Sequence, residues 1–258
     1  MSNGGECWST MSNDALILIN ELEVAFPQPS GLGKVLRGLF HRGTQSQGVK
    51  KMRALKGVDL EFSSGERVGI VGHNGAGKST LLKCMAGIYP PTKGRVEIIG
   101  SLIPLLELGA GFSMSMTVQD NIYLNGAILG LAKSEMKEME RDILDFSGLD
   151  DYKEHQLIHL SSGMRSRLGF SIASFLAPDI LLLDEVFATG DASFVNKAKE
   201  RMNKMIDRCE ILVIVSHQES IIRDVCSRTI VLDHGTVKFD GDTDAALSEY
   251  QAIVKGAV

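Results

Sequence analysis

The chain has 258 residues, 27 Lys and Arg against 32 Asp and Glu, a formal net charge of -5, and 44% apolar residues. Such a length and apolar fraction can bury a core as one large domain or two subdomains, which excludes a chain disordered as a whole. The acidic balance argues against a general nucleic-acid binder, whose footprint would be basic.

No stretch approaches the roughly 18 uninterrupted apolar residues that a membrane span needs. Residues 1–15 lack the charged and apolar regions of a secretory signal and read as a loose terminus, so the expected address is the cytoplasm. Cys7, Cys84, Cys209 and Cys226 form no C-x-x-C pair and read as reduced packing thiols.

In chain order, residues 16–26 alternate as a strand that Pro27, Pro29 and Gly31 break, and a second strand follows at 58–62. Between residues 24 and 58 there is no acidic side chain, while Lys34, Arg37, Arg42, Lys50, Lys51, Arg53 and Lys56 all fall there, so 27–57 reads as a basic insert. Inside it Leu32, Val35, Leu36, Leu39 and Phe40 recur at helical spacing and predict a short amphipathic helix. Its Lys34, Arg37 and Arg42 either form a solvated face or meet anionic groups.

Residues 67–71 form an apolar strand that runs into a glycine loop at Gly72, and 79–86 continue as a helix. After a turn marked by Pro90, Pro91 and Gly94, residues 96–106 read as a strand with a break at Gly100 and Ser101. Helical signals cover 120–131, 134–146 with Ser134 as N-cap, and 164–176, which gives a helical subdomain over about 113–176. A buried strand at 180–183, a helix at 192–207, a strand at 211–215 and a helix at 219–225 follow, then paired strands at 229–232 and 236–240 and a last helix at 243–254. This alternation predicts an α/β fold with a largely parallel sheet covered on both faces.

Gly72-His73-Asn74-Gly75-Ala76-Gly77-Lys78-Ser79-Thr80 fits the phosphate-loop pattern G-x-x-x-x-G-K-[ST], placed between strand and helix as that motif requires. The glycines let consecutive backbone N–H groups turn toward phosphate oxygens, and the helix start adds the positive end of its dipole. Lys78 would reach the β- and γ-phosphates and the Ser79 hydroxyl would ligate Mg²⁺, while His73 fills an unspecified position and takes no role.

Strand 180–183 ends in Asp184 and Glu185, which by themselves would be solvated charges. Beside a phosphate loop, Asp184 fits the Mg²⁺ shell and Glu185 is placed to polarise an attacking water. Leu160-Ser161-Ser162-Gly163-Met164 opens a helix and could hold an anion, although taken alone an N-cap is the better reading.

With these motifs in this order, the chain resembles the nucleotide-binding subunit of an ABC transporter over nearly its whole length. The resemblance implies a single cassette over 1–258: a P-loop NTPase with a RecA-like core, an N-terminal antiparallel β part and an inserted helical subdomain. It implies ATP and Mg²⁺ as ligands, with Ser161, Ser162 and Gly163 of one copy closing over the ATP held by the phosphate loop of a second copy. It also implies roles for Asp191 in the loop after Glu185 and for His217 as the γ-phosphate switch, catalytic together with Glu185. Phe26 matches the family's adenine-stacking aromatic, although a core Phe before a proline break suits those residues nearly as well.

The departures carry information. The usual signature Leu-Ser-Gly-Gly-Gln is here Leu-Ser-Ser-Gly-Met, and the usual glutamine is missing where Glu107-Leu108-Gly109-Ala110-Gly111-Phe112 stands, so Glu107 becomes the expected metal contact of that loop. Gln119 lies too close to the helical subdomain to serve. These variants, and the long insert between the first two strands, resemble the branch that exports O-antigen, capsule or teichoic acid.

The implied protein is an ATPase on the cytoplasmic face of the cell membrane, working as a homodimer with an integral-membrane permease and not with nucleic acid. The chain stops soon after its last helix, so the additional C-terminal carbohydrate-binding domain of some members is not expected. The rival from another class is a soluble ABC-type ATPase acting on ribosomes or DNA; such chains usually carry two cassettes or a long coiled-coil insertion. A module that binds ATP without hydrolysing it is disfavoured by Lys78, Glu185 and His217.

Overall fold

The computed structural model describes residues 14–27, 51–106, 108–184 and 192–256. The expected helix on Leu32, Val35, Leu36, Leu39 and Phe40, with Lys34, Arg37 and Arg42, lies outside the described residues, as do Glu107, Glu185 and Asp191. In chain order the described elements are β1 (Leu16–Pro27), β2 (Lys51–Ser63), β3 (Arg67–Val71), α1 (Lys78–Met85), β4 (Lys93–Ile99), β5 (Leu102–Leu105), α2 (Val118–Ile128), α3 (Lys133–Ser147) and α4 (Ser162–Ser174). They continue as β6 (Ile180–Asp184), α5 (Ala192–Arg208), β7 (Ile211–Val215), α6 (Glu219–Val225), β8 (Arg228–Asp233), β9 (Thr236–Asp242) and α7 (Thr243–Gly256).

The strands form two sheets. One is antiparallel, in the order β2-β1-β4; the other has the order β5-β6-β7-β3-β8-β9 and is parallel except for β9, which returns antiparallel to β8. Because side chains alternate along a strand, β6 serves two layers at once. Ile180 and Leu182 pack with the antiparallel sheet and α1, whereas Leu181 and Leu183 pack with residues of α4, α5 and α7. Each fully buried aliphatic side chain contributes about 1.5–3 kcal/mol, which is why a continuous apolar run, and not an alternating one, marks this strand.

Several expected boundaries move. Residues 96–106 are not one interrupted strand: β4 belongs to the antiparallel sheet and β5 to the parallel one. The crossing is pinned where the Ser101 backbone N–H and hydroxyl both donate to Asp179 Oδ2, at 2.7 and 2.8 Å, beside the start of β6. Gly94 lies inside β4, not in the preceding turn, and sits so close to β1 that a Cβ would come within 2.2 Å of the Asn20 carbonyl oxygen.

Residues 51–57 of the expected basic insert are strand, paired with β1 from Lys51 opposite Pro27, and Arg53 meets Glu23 at 3.1 Å. Cross-strand charge pairing with Glu23 accounts for Arg53. The terminus is fixed by residue 15: Ala15 is buried and its N–H donates to Glu210 Oε2 at 2.9 Å. Helix α3 starts at Lys133, so Ser134 lies in its first turn; Glu135 Oε2 accepts the Ala132 N–H at 2.6 Å, and the N-cap is Ala132, two residues before the expected Ser134. Cys84, Cys209 and Cys226 are buried free thiols, and burial pushes Cys84 up to about 11 and Cys226 to about 12.

Helices α2, α3 and one face of α4 enclose a cluster of their own, including Val118, Ile122, Met136, Ile143, Leu168 and Ile172. Over it lies a polar knot. Glu140 accepts from Gln119 Nε2 at 2.9 Å, from Lys153 Nζ at 2.7 Å and from the Tyr123 hydroxyl. Burial alone would raise the carboxyl, but the hydrogen bonds from Lys153 and Tyr123 outweigh it and hold the group below its ordinary value of 4.5. A depressed carboxyl contributes stability above its unfolded pKa and loses it as pH falls through the lower folded value. Glu140→Gln is therefore expected to cost about 1–3 kcal/mol at neutral pH, and the gap from the parent in urea unfolding should close as the solution is acidified below 4.5. A gap independent of pH would show that the carboxylate charge is not what the knot uses.

Candidate active site

Three parallel strands end level with one another. Ile70 of β3 and Asp184 of β6 both stand opposite Val215 of β7, and at that edge the chain leaves β3 into Gly72 and leaves β7 into Ser216 and His217. Ligands of open α/β sheets bind at the carboxyl ends of the strands. A cavity of about 440 Å³ opens there, lined by Phe26, Asn74, Gly75, Gly77, Lys78, Ser79, Thr80, Asp184 and His217. Residues that stand far apart in the chain are thus brought together by strand order.

The loop owes its curl to close approach. Gly77 has φ +112°, and a Cβ on it would meet the Ala54 carbonyl oxygen at 2.8 Å; a Cβ on Gly72 would lie 2.2 Å from the Leu232 carbonyl oxygen. Only glycine fits both conditions. Ala76 is buried beneath the loop and its carbonyl accepts the Gly235 N–H at 2.9 Å, so the β8–β9 turn supports the loop from behind. Lys78 is 7% exposed, and its Nζ donates to the Gly72 carbonyl at 2.6 Å and to the His73 carbonyl at 3.1 Å. The ammonium group is held folded over the loop that its helix follows.

Phe26 closes the far end of the cavity wall and meets Tyr89 edge-to-face at 5.4 Å, with the Lys83 ammonium 5.4 Å from the Tyr89 ring. The exposed Ser79 and the half-buried Asp184 both line the cavity, and their oxygens are the hard donors that a magnesium ion takes. Ser216 Oγ accepts the Gln218 N–H at 3.0 Å and shapes the turn that presents His217.

Ser161, Ser162 and Gly163 do not join this cavity. Ser161 is the N-cap of α4, its hydroxyl accepting the Met164 N–H at 3.2 Å, and both serines are exposed. The N-cap reading holds within the chain, and the start of the helix faces outward. Leu108 and Gly109, next to Glu107, press on α4 at Gly169, where a Cβ would come within 2.5 Å of the Gly109 nitrogen.

The cavity also has walls the sequence reading missed: Met52, Arg53, Ala54 and Lys56 of β2, Val215, and His234 in the β8–β9 turn. Arg53 and Lys56 were visible as part of the basic stretch, but only their pairing with β1 places them beside Phe26. Positive charge on this rim favours a polyanionic ligand.

The profile of the ABC transporter family matches residues 55–188, from β2 past the strand that carries Asp184. The chain belongs to the ABC transporter family. As an ABC cassette it binds ATP and is an ATPase. The O-antigen export system ATP-binding protein RfbE of Yersinia enterocolitica is 41% identical to this cassette over 189 residues, 73% of this chain and 79% of that one. The O-antigen export system ATP-binding protein RfbB of Klebsiella pneumoniae is 35% identical over 229 residues, 88% of this chain and 93% of that one.

Among solved structures, the dimeric post-hydrolysis state of the ATP-binding cassette MJ0796 bound to ADP and Pi shares the fold. Its TM-score is 0.63 at 20% identity, covering 88% of this chain and 98% of that one. The cassette fold expected from the sequence is the one observed. No helix among the described residues is long and apolar enough to cross a membrane.

Proposed function

We propose that this cassette powers export of a polysaccharide or lipid-linked glycan, as a homodimer bound to an integral-membrane permease at the cytoplasmic face of the membrane. The observation that carries the substrate class is the similarity to O-antigen export ATP-binding proteins, at 41% and 35% identity over most of the chain.

In this reading the whole chain is one cassette. The adenine lies on Phe26, and the triphosphate lies along the N–H groups of the loop from Asn74 to Thr80, with Lys78 turning its Nζ from the Gly72 carbonyl to phosphate oxygens. Mg²⁺ would be held by Ser79, Glu107 and Asp184 and would offset phosphate charge when bound. Glu185 orients and deprotonates the attacking water, His217 donates to the γ-phosphate, and Asp191 takes part in holding the nucleotide. Most of the rate comes from positioning and charge stabilisation, since phosphoryl transfer leaves the protein little covalent work.

The outward-facing start of α4 supports a role in trans. Ser161, Ser162 and Gly163 would close over the γ-phosphate bound by a second copy, so that ATP binding closes the dimer and hydrolysis opens it. A side chain at Gly163 has room within the chain: an added Cβ meets nothing nearer than Ser161 Oγ at 3.9 Å. Gly163→Asp should thus fold normally yet place a carboxylate against the γ-phosphate. ATP-driven dimerisation, followed by sedimentation in a Glu185→Gln background, should be lost. An unchanged dimer would remove the signature residues from the interface.

The substrate class is tested in cells that carry this chain. Its deletion should deplete surface polysaccharide and trap the glycan on the cytoplasmic side, with restoration by the parent and not by Glu185→Gln. Normal surface polysaccharide, with the protein recovered on ribosomes or DNA and not with membranes, would favour the rival class.

A further inference from the structure

On the rim of the nucleotide cavity, three side chains converge that neither the phosphate-loop motif nor the proposed catalytic cycle uses: His73, Asp233 and His234. Each offers one ligand atom, and the three atoms lie within 4.8 Å of one another. His73 Nε2 stands 3.0 Å from Asp233 Oδ1, His234 Nε2 stands 3.9 Å from the same oxygen, and the two rings are 4.6 Å apart. Zinc bonds of 2.0–2.1 Å in a tetrahedron put neighbouring donors about 3.3 Å apart. The His73–Asp233 edge fits nearly as it stands, and His234, 75% exposed, needs only a small rotation.

The protonation pattern points the same way. His73 Nδ1 lies 2.7 Å from the Asn74 carbonyl oxygen, which can only accept, so Nδ1 carries a proton and Nε2 is the ring nitrogen turned toward Asp233 to meet a cation. That Nε2 is buried and makes no hydrogen bond although Asp233 Oδ1 is close. A metal ion in place of a proton between Nε2 and the Asp233 carboxylate would give that nitrogen the partner it lacks. Metal-binding histidines donate their other ring N–H to a carbonyl or carboxylate, as His73 does here.

The support is rigid as well. The Gly235 N–H donates to the Ala76 carbonyl and the Lys56 N–H to the Gly235 carbonyl, both at 2.9 Å, so the turn is fixed to the phosphate loop and to β2 before any ligand arrives. His234 itself is held at φ +47°, a conformation uncommon outside glycine that a tight hairpin turn would more readily give to Asn or Gly.

We propose that His73, Asp233 and His234 form a binding site for one late first-row divalent ion, Zn²⁺ foremost, which clips the phosphate loop to the β8–β9 turn. Two imidazoles and one carboxylate suit such an ion, whereas Mg²⁺ prefers an all-oxygen shell. The site is distinct from Ser79 and Asp184 in both residues and donor chemistry.

The test uses the full chain without a purification tag, stripped of metal and free of nucleotide, titrated with Zn²⁺ in a calorimeter and with Co²⁺ by visible absorption. His234→Asn keeps a residue that tolerates the left-handed turn, and His73→Gln removes a second ligand from a different element. The parent should take up one equivalent of Zn²⁺ at micromolar concentration and give a ligand-field spectrum with Co²⁺, neither displaced by excess Mg²⁺. Each variant should bind at least about tenfold more weakly. If thermal melting shows one variant misfolded, the other decides. No stoichiometric binding by the parent would leave His73 and Asp233 as an ion pair only, and undiminished binding in the folded variants would place the ion elsewhere; either result overturns the site.

Discussion

Lys78→Ala should lower ATP affinity by at least about tenfold, read by calorimetric titration of the purified chain. Charge-assisted hydrogen bonds are worth about 1.5–3 kcal/mol each, so the loss of one or two phosphate contacts costs about 1.5–6 kcal/mol, at 1.4 kcal/mol per factor of ten. The structure shows how Lys78 is set for these contacts. Lys78 is 7% exposed, its ammonium already folded over the loop onto the Gly72 and His73 carbonyls, a short swing from where phosphates would lie. Arg53 and Lys56 line the cavity from β2, and Arg53 is engaged with Glu23. The same two carbonyls lose a donor in the variant, so a melting curve should accompany the titration. ATP affinity equal to the parent's would remove Lys78 from phosphate binding.

Glu185→Gln should leave ATP binding intact while turnover falls about 10²-fold or more, the usual yield of a positioned general base. Glutamine keeps the side chain's shape and its ability to orient a water but cannot accept the proton. The ATP-bound dimer should consequently outlive that of the parent in sedimentation, and phosphate release should report the loss. Hydrolysis near the parent rate would pass the base role to another residue, and His217, which already lines the cavity, is the first to examine. The two variants separate the stages of the cycle: Lys78→Ala blocks entry, Glu185→Gln blocks exit.

The sequence by itself determined the elements that a strong local signal specifies. Residues 67–71, 211–215 and 219–225 stand as expected, because continuous apolar runs bounded by polar residues leave a buried strand few alternatives, and a helix that begins just past a strand end has a definite start. The phosphate loop was legible for the same reason: its chemistry is carried by contiguous residues whose glycines are required by backbone conformation and close approach. Motif order was enough to place Asp184 and His217 near it, although nothing local to His217 marks that histidine as functional.

Tertiary structure alone decided what depends on strand pairing. That 96–106 divides between two sheets follows from the Asp179 carboxylate gripping Ser101, a contact across 78 residues that no window along the chain contains. Charge composition made residues 51–57 look like part of an insert, whereas pairing with β1 made them a cavity wall set against the phosphate loop at Gly77, because Glu23 supplies on the neighbouring strand the negative charge that the stretch itself lacks. His73 had no role in the linear motif. Folding sets it against Asp233 and His234, because β8 lies beside β3 in the sheet and its turn must close on the loop that β3 feeds. Contiguous chemistry and one-dimensional period are written in the chain, whereas chemistry shared between strands exists only once the strands have chosen their neighbours.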